Sequence, residues 1–147
     1  MSNYLPPAEV PDVACEYAIK KATNSPYKTL ILGLMAGLYI ALAGLFYTMV
    51  CVDSQLGFGP TKMLGGVAFS MGLILVVVCG GELFTGNVLL ANAVVNKKIT
   101  LKQMLRNWGL VYFSNTLGAI LIVAMVYFSD TVNSNSEFSH MALKIGS

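Results

Sequence analysis

Apolar residues fill three long stretches of this chain, and the connectors between them hold nearly all of its charge. Thr29 to Val52 and Asn107 to Ser129 carry no formal charge, and Met63 to Val95 carries one, Glu82. A helix of about 20 residues crosses a hydrocarbon layer of about 30 Å, so each stretch predicts a membrane segment. The second segment differs from the others. As one straight helix it would reach roughly 50 Å at about 1.5 Å per residue. It is also interrupted by the polar string Gly80-Gly81-Glu82-Leu83-Phe84-Thr85-Gly86-Asn87. A helix broken over residues 80–87 is the better description. Backbone groups released by a break are tolerated at membrane depth only where protein buries them or a cavity wets them, which is how transporters build sites from discontinuous helices.

The two sides of the break carry different residues. Gly65 to Leu73 form a slim helix with Phe69 and Leu73 four apart on one face, and Val88 to Val95 reads as a half helix too short to cross alone. Thr85 and Asn87 are types that cap a helix start, and Gly86 permits backbone angles closed to other residues. Glu82 carries a cost of about 2.5 to 3.5 kcal/mol if ionised at mid-bilayer, so it must be paired, hydrated or protonated. Accepting hydrogen bonds from the freed loop amides is its expected role, with Gly81, Gly86 and Asn87 stabilising the same loop. An acid facing the pathway would repel anions. In the first segment, Gly33, Gly37, Ala41 and Gly44 recur at spacings of three and four, a smooth strip suited to helix contact.

Ahead of the first segment, Glu9 to Ala22 predicts a short amphipathic helix with Pro11 in its first turn and Asn24-Ser25-Pro26 as a stop. Its apolar side, Val13, Ala14, Tyr17 and Ala18, rests either on the membrane surface or on the rest of the protein. The basic residues set the orientation. Lys20, Lys21, Lys28, Lys97, Lys98, Lys102 and Arg106 flank one side of the three segments, whereas the opposite connectors hold only Lys62 and Lys144. Residues 1–28 are thus expected in the cytoplasm, 29–129 as a three-segment membrane half-domain, and 130–147 as an external polar linker.

Composition agrees: hydrophobic residues make up 56% and charged residues 11%, which excludes an ordinary soluble fold. A net charge of +2 spread along the chain gives no stripe for nucleic acid. Cys15, Cys51 and Cys79 form no CxxC pair, so neither disulfide nor metal site is expected, and Cys79 should pack as a small apolar residue. The one histidine, His140, falls in the polar stretch beginning Asn133-Ser134-Asn135-Ser136, where a solvated loop position is expected. No acid, base, nucleophile or metal cluster points to an enzyme or a cofactor. Trp108, Tyr112 and Tyr127 read as lipid-facing or interfacial packing.

Three strings carry a resemblance: Lys62 through Leu73, Gly81-Glu82-Leu83-Phe84-Thr85-Gly86-Asn87, and Asn107-Trp108 followed by Val111-Tyr112-Phe113-Ser114-Asn115-Thr116-Leu117-Gly118-Ala119. They resemble the formate/nitrite transporter family over nearly the whole chain, with clostridial hydrosulfide channels as the nearest likeness within it. The resemblance implies an aquaporin-like inverted-repeat fold of six segments, five protomers in a ring, and a pore through each, in the bacterial inner membrane. This chain would hold the first half, and the family's pore histidine would lie in the second. Phe69 and Leu73 resemble apolar residues of the cytoplasmic constriction, and Leu83, Phe84 and Thr85 resemble the loop lining the pore centre. The family's linker lysine falls at or just beyond Ser147, with Lys144 the nearby candidate. Ser114 stands where relatives more often have glycine, and Glu82 where formate transporters commonly have aspartate. The implied partners are small monovalent weak-acid anions (hydrosulfide, formate, nitrite), protons and the lipid bilayer. A small membrane assembly subunit without its own pore is the alternative.

Overall fold

The computed structural model describes residues 6–52, 54–129 and 137–146. Asp53 of one connector, linker residues 130–136 and Ser147 lie outside the described residues.

Among the described residues, three helices are long and apolar enough to cross a membrane: α2 (Pro26–Cys51), α3 (Phe58–Val78) and α6 (Leu101–Phe128). Around them lie α1 (Val10–Thr23), the short α4 (Phe84–Asn87) and α5 (Leu90–Val95), and α7 (Glu137–Gly146). Every element among the described residues is helical. Local chemistry explains the ends. Pro11 occupies the first turn of α1, and Ser25 caps α2 by accepting from the Lys28 amide just before Pro26. Thr100 and Gln103 form a reciprocal capping box at the start of α6.

The long helices pack through small residues. A Cβ added at Gly37 would strike the Asn115 backbone, one at Gly118 the Leu34 carbonyl, and one at Gly33 the Ser114 side chain. The smooth strip of α2 therefore serves contact with α6, and Ser114 fits because Gly33 faces it. Gly44, at the strip's far end, meets nothing within 4 Å. On the other side of α2, Gly72 of α3 rests against Ala43 and the Tyr39 carbonyl. Helix α1 rests on the protein, but by a different side from the expected one: of Val13, Ala14, Tyr17 and Ala18 only Ala18 is buried, and Tyr17 is exposed. Cys15, Ala18 and Ala22 are buried in one cluster with Leu90, Ala93, Ile99 and Met104.

Two further expectations need correction. Cys79 is exposed, at the C-cap of α3 on the lip of the break, with the Tyr39 side chain of α2 beside it. His140 is exposed on helix α7, not on a loop; α7 lies against α2, and its Ala142 and Ile145 line a cleft with Gly44 and Thr48 of that helix.

Candidate functional site

The break is built by a Schellman turn. Gly80 adopts φ 66°, its amide donates to the Val77 carbonyl, and the Gly81 amide donates to the Val76 carbonyl at 2.8 Å. Gly81 lies against Ala36 of α2, and the Glu82 amide then donates to the Leu32 carbonyl at 3.1 Å. Helix resumes at Phe84, four residues earlier than the sequence suggests, and runs as a short apolar piece to Val95. Thr85, Gly86 and Asn87 consequently lie inside that helix and neither cap it nor use a positive φ. The cap comes from another helix. Asn115 Oδ1 on α6 accepts from the Phe84 amide at 2.9 Å, while its Nδ2 donates to the carbonyls of Glu82 at 2.9 Å and Gly33 at 2.8 Å.

Glu82 is 3% exposed and its carboxylate takes side-chain donors instead of the expected loop amides. Lys21 Nζ donates at 3.1 Å and Asn87 Nδ2 at 2.7 Å to one oxygen, and Asn24 Nδ2 at 3.4 Å to the other. Loop amides are unavailable because carbonyls of α2 and α3 and the Asn115 side chain already accept from them. Asn87, fully buried, also accepts from Lys21 Nζ at 2.8 Å and donates to Asn107 Oδ1 at 2.9 Å. Asn107 Nδ2 closes the ring on the Lys21 carbonyl at 3.2 Å. No buried side-chain nitrogen or oxygen among the described residues lacks a partner, as a polar cluster inside an apolar bundle requires.

Side chains leave the break in two directions. Leu83 and Thr85 line one groove with Leu73, about 480 Å³ in volume. Phe84 instead turns toward α6, edge-on to Trp108 at 5.9 Å and to Tyr112 at 5.7 Å. Trp108 also donates from Nε1 to the Asn87 carbonyl at 2.8 Å. Trp108 and Tyr112 therefore brace the break, beyond the lipid-facing or interfacial packing their type suggests.

The formate/nitrite transporter model matches residues 8–147. The chain belongs to this family. It is 44% identical over 128 residues to the formate channel FocA of Escherichia coli K12, covering 86% of this chain and 45% of that protein. To FocA of Haemophilus influenzae it is 41% identical over 136 residues, covering 91% and 48%. Among solved structures, a pentameric formate channel with formate bound matches with TM-score 0.67 and 38% identity, covering 82% of this chain and 48% of that one. The chain spans about half the length of these relatives, and its fold is the corresponding part of the formate channel fold.

The residues that resemble the family's pore fall in separate places. Leu73, Leu83 and Thr85 share the groove beside the break, whereas Phe69, one turn along α3 from Leu73, lines a wider apolar cleft of about 730 Å³ with Ala41, Gly44 and Ile122. Lys144 on α7 shares a third groove with Lys62, Ser54 and Thr61, at the far end of α2 from the break. Lys21, Asn24, Asn107 and Asn115 escape sequence reasoning as members of this formate/nitrite transporter break. Their one signal is that they are amide and basic side chains near apolar helices, which in a membrane protein need partners.

Proposed function

We propose that this chain forms one wall of a channel for small monovalent anions of weak acids, formate foremost, with nitrite and hydrosulfide in the same class. The observation that carries this reading is the helix break that presents Thr85 beside Leu73 and Leu83 in an open groove. Membership of the family and the likeness to a pentameric formate channel support it. A second half of the same inverted-repeat design faces the groove, five protomers assemble, and the N-terminus lies on the cytoplasmic side of the bacterial inner membrane. The protein acts as a conduit and not as an enzyme, and needs no cofactor.

The physics of the groove sets the selectivity. An isolated anion loses several kcal/mol or more in an apolar constriction such as Leu73 and Leu83 would form, while its neutral conjugate acid crosses cheaply. Proton transfer near Thr85, with a histidine from the second half, converts one into the other. Glu82 does not repel the anion, because Lys21 neutralises it at 3.1 Å. Reconstituted into proteoliposomes, the protein should pass formate far faster than chloride, and formate flux should rise as pH falls. Equal fluxes of formate and chloride, insensitive to pH, would refute the channel reading; no flux of either would favour a pore-less assembly subunit.

A further inference from the structure

The turn that joins α5 to α6 gathers three lysines, Lys97, Lys98 and Lys102. All are exposed, and among the described residues their side chains make no ion pair and no hydrogen bond. The sequence has no acid between Glu82 and Asp130, and Asp12 and Glu16 of α1, the helix packed on α5, do not pair with them. None of the three borders the groove beside the break. Arg106, one turn after Lys102, is by contrast bound to the carbonyls of Ala22 and Asn24.

Folding does not explain their positions. Helix α5 ends in a second Schellman turn, in which the Lys97 amide donates to the Val94 carbonyl and the Lys98 amide to the Ala93 carbonyl, each at 2.9 Å. The left-handed position of such a turn is normally glycine or asparagine, yet here it is Lys97 at φ 55°. Lys102, in the first turn of α6, opposes the positive end of that helix's dipole. Membrane topology asks for cations at this end of the bundle but not for one in a strained conformation.

The face of α6 that starts at Lys102 is equally unexplained. Leu105, Gly109 and Tyr112 follow it at helical spacing, with Phe113 beside them, and all four are exposed. A Cβ at Gly109 would meet nothing within 4 Å, so no close approach within the chain demands glycine there, as one does at Gly37 and Gly118. Glycine in a helix interior weakens the helix. Its neighbours one turn away on the surface, Leu105, Tyr112 and Phe113, are large, so Gly109 leaves an apolar notch that opens toward the lysines.

We propose that Lys97, Lys98 and Lys102 bind the phosphate headgroup of an anionic phospholipid whose acyl chain lies in the notch at Gly109. Charge and apolar surface then have one occupant. A basic cluster directly beside a membrane helix is suited to anionic headgroups, and the exposed strip below it suits a hydrocarbon chain and no soluble anion. The site is separate from the helix break and does not depend on the channel reading.

The test uses the full chain, purified in detergent, stripped of lipid and given equal amounts of phosphatidylglycerol and phosphatidylcholine with the same acyl chains. Native mass spectrometry counts the lipids retained, and thermal unfolding reads their effect on the fold. The parent should prefer phosphatidylglycerol by about tenfold or more at low salt, with a higher melting temperature, and both effects should shrink at high salt. In Lys97→Gln/Lys98→Gln/Lys102→Gln the preference should fall to near parity, and each single variant should lower it by up to about fivefold. The triple arginine variant should keep it, since the charge remains. Gly109→Leu fills the notch with the lysines intact and should cut retention of phosphatidylglycerol, which diffuse attraction to a charged surface would not do. Melting of each variant without lipid shows that it is folded. Equal retention of the two lipids by the parent, or an undiminished preference in the triple glutamine variant, overturns the headgroup site. Unchanged retention in Gly109→Leu overturns the seat for the chain, and a melting shift matched by the same concentration of inorganic phosphate overturns the lipid as occupant.

Discussion

Lys21 Nζ stands 3.1 Å from a Glu82 carboxylate oxygen and 2.8 Å from Asn87 Oδ1, so one cation from α1 ties the loop of the helix break to α4. The pair reconciles an acid with an apolar bundle: burial penalises the carboxylate, and the ammonium with two amide groups replaces the lost water. Removing Lys21 should therefore hurt more than removing both charges. Lys21→Ala should destabilise the fold by about 3 kcal/mol, the low end for a broken buried pair because the lysine side chain is 28% exposed. Thermal unfolding in detergent should show the loss, with partial recovery in Lys21→Ala/Glu82→Gln. Equal melting of Lys21→Ala and the parent would disprove the lock.

Asn115 caps α4 from a different helix and satisfies two further carbonyls. Asn115→Leu leaves the Phe84 amide and the Glu82 carbonyl without this partner, at about 1 to 3 kcal/mol for each that stays dry, while the Gly33 carbonyl keeps its bond within α2. Hydrogen exchange should accelerate at Phe84 and its neighbours. Thr116→Ala, next in sequence but exposed, should change stability by less than about 0.5 kcal/mol.

Glycines of α2 should differ sharply by position. Gly37→Val places atoms in the Asn115 backbone and should push α2 and α6 apart, costing about 3 kcal/mol or more. Gly44→Ala has open space and should be neutral or stabilising by up to about 1 kcal/mol from helix propensity. Yield and melting temperature of the two purified variants decide the point.

The break itself depends on the left-handed conformation of Gly80 at φ 66°. Gly80→Ala should cost about 1 to 2 kcal/mol, and Gly80→Asn less, since asparagine tolerates that region. Gly86→Ala, with an ordinary backbone angle and nothing within 4 Å, should be silent in the same melting assay.

The three spans, the break and the contact role of Gly33 and Gly37 were legible in the sequence, because each follows from hydropathy, length or spacing within one segment. Glycine signals put the break within a few residues but mistook Thr85 and Asn87 for caps. The real cap is Asn115, 31 positions from Phe84, and local pattern carries no information on such pairs. Glu82 announced a need for partners by its cost, yet Lys21 lies 61 positions away on a helix outside the spans. Trp108 read as interfacial because its indole suits a membrane boundary. Its hydrogen bond to the Asn87 carbonyl arises only once α4 has docked on α6. Ser114 became intelligible only beside Gly33, whose missing side chain makes room for it.

Blocking the groove at Thr85 tests the central claim most directly. With the native cysteines replaced, Thr85→Cys is reacted with a bulky thiol reagent in proteoliposomes and formate flux is measured before and after. Ile120→Cys, exposed on α6 away from the break, serves as the control. Loss of formate flux on modification at 85, and none at 120, is the expected result. Undiminished flux through protein fully modified at 85 would show that the break does not line the path.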